Sequence, residues 1–205
     1  MSHYLISFFA GYLVGSIPTA YLIVKQRAGI DIQEAGSGKA GAFNTFSVTQ
    51  SKWLGIFVGV LDGAKGFAVT WVALHLLGEP FWVGAVGMLG AIVGHTFSFL
   101  MKFKGGRGLA TAAGGFFGVG VGYTIVWCSS WVLFNRWKKD IVTANVLSSV
   151  LTPLSLIAIP SEWLDFVMFS QAGVDEYRIF AGVLSVVLLI SHRDVVRDLL
   201  RKKKD

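Results

Sequence analysis

The stretch Gly94-His-Thr-Phe-Ser-Phe-Leu-Met-Lys-Phe-Lys-Gly-Gly-Arg-Gly-Leu-Ala-Thr111 decides how this chain is read. It sets Lys102, Lys104 and Arg107 around Gly105, Gly106 and Gly108, after an apolar segment and before a small-residue one. Glycine lets backbone N–H groups approach an anion closely, and the start of a helix favours negative charge. Basic side chains add charge-assisted hydrogen bonds to phosphate oxygens. Membrane proteins also keep Lys and Arg in their inner loops, and that bias alone accounts for the charges. It does not account for three interleaved glycines or for His95 before them. The stretch is therefore expected to hold an anion.

The surroundings of this stretch are apolar. The chain has 205 residues, 54% hydrophobic and 15% charged, with a mean hydropathy of +0.63. A soluble domain is about 25% charged. An all-α polytopic integral membrane protein is expected, with residues 1–205 forming one domain. The 25 glycines permit close helix approach. The net charge of +6 sits beside apolar runs, which points to the inner membrane face and away from nucleic acid. The basic tail, with Arg193, Arg197 and Arg201–Lys204, lacks the aromatic interleaving of a nucleic-acid site and reads as an anchor on anionic lipid. Cys128 is alone, so no internal disulfide is expected. His3, His75, His95 and His192 are scattered without metal-ligand spacing, and neither metal nor cofactor is expected. The first apolar run has no Lys or Arg before it and no small-residue cleavage site after it, so it reads as a retained helix.

A helix needs about 20 apolar residues to cross the bilayer. Tyr4–Val24, Trp53–Leu77, Phe81–Met101, Ile141–Ile159 and Tyr177–Ser191 read as spans. Leu109–Phe134 reads as two short passes broken near Gly120–Gly122, because a single pass would put Arg136, Lys138 and Lys139 opposite Lys102, Lys104 and Arg107. That makes about seven passes, the first of these two being short or re-entrant, with the N-terminus outside and the C-terminus in the cytoplasm. Lys25–Lys52 reads as a polar loop carrying a second Gly-rich stretch, Glu34-Ala-Gly-Ser-Gly-Lys-Ala-Gly-Ala-Phe-Asn44. It is not a Walker motif, since no strand precedes it and the spacing differs. Taken alone it reads as a flexible linker. Asp62 and Lys65 lie three apart on one face of the second span. Ionisable groups there are rare, and a functional pair and a self-neutralising structural pair are both open readings. In this layout both Gly-rich loops, the Arg136–Lys139 loop and His192 meet at one cytoplasmic rim. That convergence raises the anion-site reading above a linker.

These residues resemble the bacterial acyl-phosphate:glycerol-3-phosphate acyltransferase family, over nearly the whole chain. Gly11–Ser16 looks like its opening pattern, and Gly36-Ser-Gly-Lys-Ala-Gly-Ala-Phe-Asn44 is similar to its Gly-Ser-Gly-Asn-x-Gly-Ala-Thr-Asn signature. Asp62-x-x-Lys65-Gly66 matches an element of its second span. Gly94-His95 through Lys104-Gly-Gly-Arg-Gly-Leu-Ala-Thr111 is similar to its second signature, and His192-Arg193 to its C-terminal His-Arg. Lys39 stands for the signature Asn, Phe43 for Thr, Ser47 for an Arg, Ser98 for Pro, Arg107 for Lys and Val195 for Asn. The family's third motif is hardly visible in Lys138–Asn145.

The resemblance implies a multi-pass protein of the bacterial plasma membrane, active on the cytoplasmic side in phospholipid biosynthesis and working as a monomer. It implies transfer of an acyl chain from an acyl phosphate to the 1-hydroxyl of glycerol 3-phosphate. Two phosphates need two sockets. Gly36, Ser37, Gly38, Lys39, Gly41 and Asn44 are expected to form one. Lys104, Gly105, Gly106, Arg107, Gly108 and Thr111 are expected to form the other and to polarise the acyl carbonyl. Ser37, Arg107 and His192 are the expected catalytic residues, with His192 near the acceptor hydroxyl. His95 either touches substrate or satisfies a buried backbone group. Two alternatives stand beside this one: a divergent paralogue using another phosphorylated acceptor, and a non-catalytic lipid-binding or transport protein.

Overall fold

The structure is a computed structural model and describes residues 1–170 and 172–201. Lys202–Lys204 of the basic tail therefore lie outside the described residues. Among the described residues the regular elements are helices, with one isolated bridge between Gly120 and Met168. The chain divides into two compact units, Met1–Val119 and Gly120–Asp205.

In the first unit, α1 (Ser2–Ser16) and α2 (Thr19–Ala28) together form the first apolar run. The break lies at Ile17-Pro18, because proline has no N–H to continue the ladder. α3 (Ala42–Thr49) lies inside the stretch expected to be loop. Eight residues are too few to announce a helix by periodicity, and such a helix depends on tertiary packing. α4 (Lys52–Trp71) runs into a π turn over Val72–Leu76. α5 (Phe81–Thr96) ends in a short 3-10 turn at Phe99–Met101. α6 (Leu109–Phe117) has nine residues, about 14 Å at 1.5 Å per residue, and is too short to cross a bilayer.

Small residues set the helix spacing in this unit. A β-carbon at Gly11 or Gly15 of α1 would overlap the carbonyl oxygens of Gly87 and Ala91 on α5. One at Gly90 or Gly94 of α5 would overlap those of Phe8 and Tyr12 on α1. The same holds for Gly66 against Thr111 and for Gly114 against Gly63, where α4 meets α6. These are backbone-to-backbone contacts, of the kind that drives helix association where lipid removes the hydrophobic advantage. Gly11 and Gly15 thus set the close approach of α1 to α5.

The second unit holds α7 (Gly122–Lys138), α8 (Ile141–Ala158), α9 (Ser161–Phe166), α10 (Val174–Ser191) and α11 (Arg193–Arg201). The polar side of α8 faces α7. Trp131 donates its indole N–H to Asn145 Oδ1 at 2.8 Å, and Trp127 donates to Ser149 Oγ at 3.2 Å. Arg178 of α10 caps the far end of α8, donating to Ile159 O at 2.7 Å and Leu156 O at 3.0 Å. A cation suits those last carbonyls, which have no intrahelical donor.

Among the described residues, four helical runs are long and apolar enough to cross a membrane: Ser2–Ala28, Lys52–Leu76, Phe81–Met101 and Ile141–Ala158. A fifth pairs α10 with α11 across a 75° bend. The expected division of Leu109–Phe134 into two helices is present, with the break at 118–121.

Candidate active site

The centre of the site is the turn that carries the chain from α5 to α6. The last carbonyls of α5 have no donor within the helix. Gly105 N–H reaches back to Thr96 O and Gly106 N–H to His95 O, each at 3.0 Å. This overturns the expectation that these two amides cradle a phosphate, since both are committed to the helix end. Their contribution is shape. A β-carbon at Gly105 would strike the His95 carbonyl, and one at Gly106 would strike His95 Nε2. Lys102 and Phe103 just before them adopt left-handed backbone, at φ 50° and 60°. That conformation costs an L-residue about 1–2 kcal/mol. It is held by Phe103 N–H to Ser98 O at 2.8 Å and Lys104 N–H to Met101 O at 3.0 Å.

Past the turn, Gly108 takes φ 79° as the N-cap of α6. The first intrahelical bond is Ala112 N–H to Gly108 O at 2.8 Å. The N–H groups of Leu109, Ala110 and Thr111 precede it, and they form the positive end of the helix. Lys104 is exposed and Arg107 half-buried beside this end. The Thr111 hydroxyl is buried and has no hydrogen-bond partner among the described residues.

The first Gly-rich loop is folded just as tightly. Asn44, on α3 and 3% exposed, accepts Ser37 N–H at 2.9 Å and donates to Ala35 O at 3.0 Å and Ile32 O at 3.2 Å. Gly38 N–H bonds to Ala35 O and Gly41 N–H to Lys39 O, each at 3.1 Å. Asn44 was expected to bind phosphate. Its amide instead shapes the loop, and the N–H groups of Ser37, Gly38 and Gly41 are likewise engaged. Gly36 and Gly38 take left-handed φ of 59° and 68°, and a side chain at Gly36 would overlap Asn44. The Ser37 side chain is exposed and Lys39 half-buried, so the loop offers side chains more than backbone. Gly41 is the N-cap of α3, whose start is a second helix N-terminus.

The two loops are joined to each other. Ala40 N–H donates to Gly105 O at 3.3 Å. Gln33 Nε2 donates to Lys104 O at 3.0 Å and Met101 O at 3.2 Å. Gln33 carries no sequence signal, since one Gln in a polar loop fits no motif.

Beneath the turn lies the buried pair. Lys65 Nζ donates to Asp62 Oδ1 at 2.8 Å, Thr19 Oγ1 at 2.9 Å and Ile17 O at 2.6 Å. Thr19 also donates to Asp62 Oδ1 at 2.5 Å, and His95 Nδ1 lies 3.6 Å from the same oxygen. Lys65 thus engages all three donors of its ammonium, and at the Pro18 break it shares the Ile17 carbonyl with the Thr19 N–H. A cavity of about 10 Å³, room for one water, adjoins Thr19, Lys65, His95 and Ser98. Ser98, in the position of the family Pro, donates to Ser16 O at 2.6 Å and ties the turn to α1. Of the two readings of the pair, the structural one fits these bonds. His95 serves the site with its backbone carbonyl and holds its ring between Asp62 and Gly106.

His192 belongs to the second unit, at the corner between α10 and α11. It is 1% exposed. Nδ1 lies 2.8 Å from Leu188 O and 3.1 Å from Ser191 Oγ. A carbonyl only accepts, so Nδ1 carries the proton, and in the neutral ring Nε2 is the acceptor.

Removing one partner of a buried ion pair leaves the other charge uncompensated, at a cost of about 3–5 kcal/mol. Lys65→Met is expected to lose stability of that order in thermal denaturation of the micellar protein. Asp62→Asn combined with Lys65→Met is expected to recover much of the loss. A Lys65→Met protein that melts like the wild type would contradict the structural role.

Known proteins resemble this chain along nearly its whole length. A family model described as glycerol-3-phosphate acyltransferase matches residues 5–202. A glycerol-3-phosphate acyltransferase of Thermotoga petrophila is 39% identical over 190 residues, covering 93% of this chain and 89% of that one. One from Synechococcus sp. is 36% identical over 170 residues, covering 82% and 81%. Crystal structures of PlsY (YgiH), an integral membrane glycerol 3-phosphate acyltransferase, are also similar. Its glycerol 3-phosphate form superposes with a TM-score of 0.80 at 27% identity, covering 97% of this chain and 92% of that one. Its lysophosphatidic acid form gives 0.79 at 28% identity, covering 98% and 93%. With its two glycine-rich signatures hydrogen-bonded to each other beside two helix starts, the chain belongs to the glycerol-3-phosphate acyltransferase family.

Proposed function

We propose that this protein transfers an acyl chain from an acyl phosphate to the 1-hydroxyl of glycerol 3-phosphate, giving lysophosphatidic acid. The observation that carries this reading is the joined pair of loops. Each leads into a helix N-terminus, and together they bring Lys39, Lys104 and Arg107 into one unit. Helix starts and cations suit phosphate, and both substrates carry one.

Ser37, Lys39 and the start of α3 hold one phosphate. Lys104, Arg107, Thr111 and the start of α6 hold the other. The acceptor oxygen attacks the acyl carbonyl carbon, and the bond from that carbon to the donor phosphate oxygen breaks. The departing phosphate takes the bonding pair and the hydroxyl proton. His192 acts on the acceptor side of the reaction. Arg107 stabilises the charge that develops on the carbonyl oxygen, which is worth about 3–4 kcal/mol for one well-placed donor. Lys39 supplies the charge that Ser47 lacks. The acyl tail enters from the bilayer between helices. The layout is one domain, active as a monomer in the bacterial plasma membrane. It has about seven membrane segments, α6 being the short or re-entrant one, with the N-terminus outside and the site and the C-terminus cytoplasmic. Ser47 and Val195, where the family has Arg and Asn, favour a second reading with a different phosphorylated acceptor.

Purified protein in lipid, given an acyl phosphate and radiolabelled glycerol 3-phosphate, is expected to form labelled lysophosphatidic acid. Arg107→Ala is expected to slow this by roughly 100- to 1,000-fold without unfolding. Folded wild-type protein that labels no lipid would overturn the acceptor, and an unimpaired Arg107→Ala would remove Arg107 from the chemistry. A reporter fused after Asp205 is expected to be active only in the cytoplasm, and external activity would overturn the orientation.

A further inference from the structure

The second unit carries a groove that the acyl transfer does not use. It opens between α8, α10 and α11 and has a volume of about 640 Å³. Val150, Val186 and Ile190 line its floor, and Arg193, Arg197 and Arg201 line its edge. The three arginines are spaced i, i+4, i+8, so successive turns of α11 present them along one side. Asp194 and Asp198 of the same helix do not line the groove. The groove also excludes His192, whose ring is buried and bonded to Leu188 O. α11 leaves α10 at a 75° bend, and its arginine row shares the groove with the apolar trough of Val150, Val186 and Ile190. The groove is therefore part apolar and part cationic.

A free anion would leave the trough empty, and a neutral apolar chain would leave the arginines unused. The ligand that matches both parts has an acyl tail and an anionic phosphate head. Guanidinium groups hold phosphate oxygens in pairs, and a zwitterionic head offsets that attraction with its own ammonium. We propose that this groove binds one anionic phospholipid of the surrounding bilayer. Its acyl chain lies on Val150, Val186 and Ile190, and its phosphate lies against Arg193, Arg197 and Arg201. The bound lipid fixes α11 at its angle to α10.

The test is native mass spectrometry of the full chain released from micelles, titrated with phosphatidylglycerol or with phosphatidylcholine of the same chains. One retained phosphatidylglycerol is expected, with phosphatidylcholine retained far less. The triple variant R193Q/R197Q/R201Q is expected to weaken phosphatidylglycerol retention roughly 100-fold, from about fivefold per arginine. The variant K52Q/K138Q/K139Q removes the same charge at exposed positions outside the groove and is expected to retain the lipid. Val186→Trp fills the trough, keeps every charge and is expected to lose the lipid. Equal loss in the arginine and lysine variants would mean diffuse surface attraction and would overturn the site. So would undiminished retention in Val186→Trp, or equal retention of the two lipids by the wild type.

Discussion

The first unit depends on how α5 ends. Its last residues, His95 and Thr96, are buried, and an unmatched carbonyl there is costly. Gly106 and Gly105 supply the missing donors. They fit only because they have no side chains, since any β-carbon would collide with the helix end itself. This single closure fixes the start of α6 and, with it, Arg107. Through Ala40 and Gln33 it also draws in the first Gly-rich loop. The glycines therefore act as spacers that aim other groups, and the positive ends of α3 and α6 provide the electrostatics.

The second constraint is the break at Pro18. A helix interrupted inside a membrane exposes backbone groups that lipid cannot satisfy. Lys65 meets the Ile17 carbonyl, and Asp62 neutralises Lys65. Thr19 bonds to both. The same cluster reaches His95, so the break in the first run and the end of α5 share one polar knot. An ion pair here adds little net stability on its own terms. Its value is that it lets α1 turn into α2 directly beside the loops.

Much of this was legible in the sequence. Long apolar runs gave the membrane class. The break within Leu109–Phe134 followed from Gly118, Gly120 and Gly122 and from charge placement. The two Gly-rich signatures pointed to one site, and they do meet. What could not be read was which atoms face the ligand. A run such as Gly105-Gly106-Arg107-Gly108 looks alike whether its amides point outward or cap a helix, because that depends on where α5 stops. Asn44 reads as a ligand until α3 is seen to carry it under the loop. Gln33 and Thr19 bond across long sequence separations, and no local pattern marks them.

The most direct test of this account is the rate of acyl transfer by Gly106→Ala, measured alongside its circular dichroism. The added carbon would overlap His95 Nε2 and lie 2.5 Å from Ala40 O, so the turn must move. A shift of about 1 Å in a positioning element costs roughly 100-fold in rate. The account predicts a loss of that size with the helical signal intact. A Gly106→Ala protein that transfers acyl chains at the wild-type rate would contradict it.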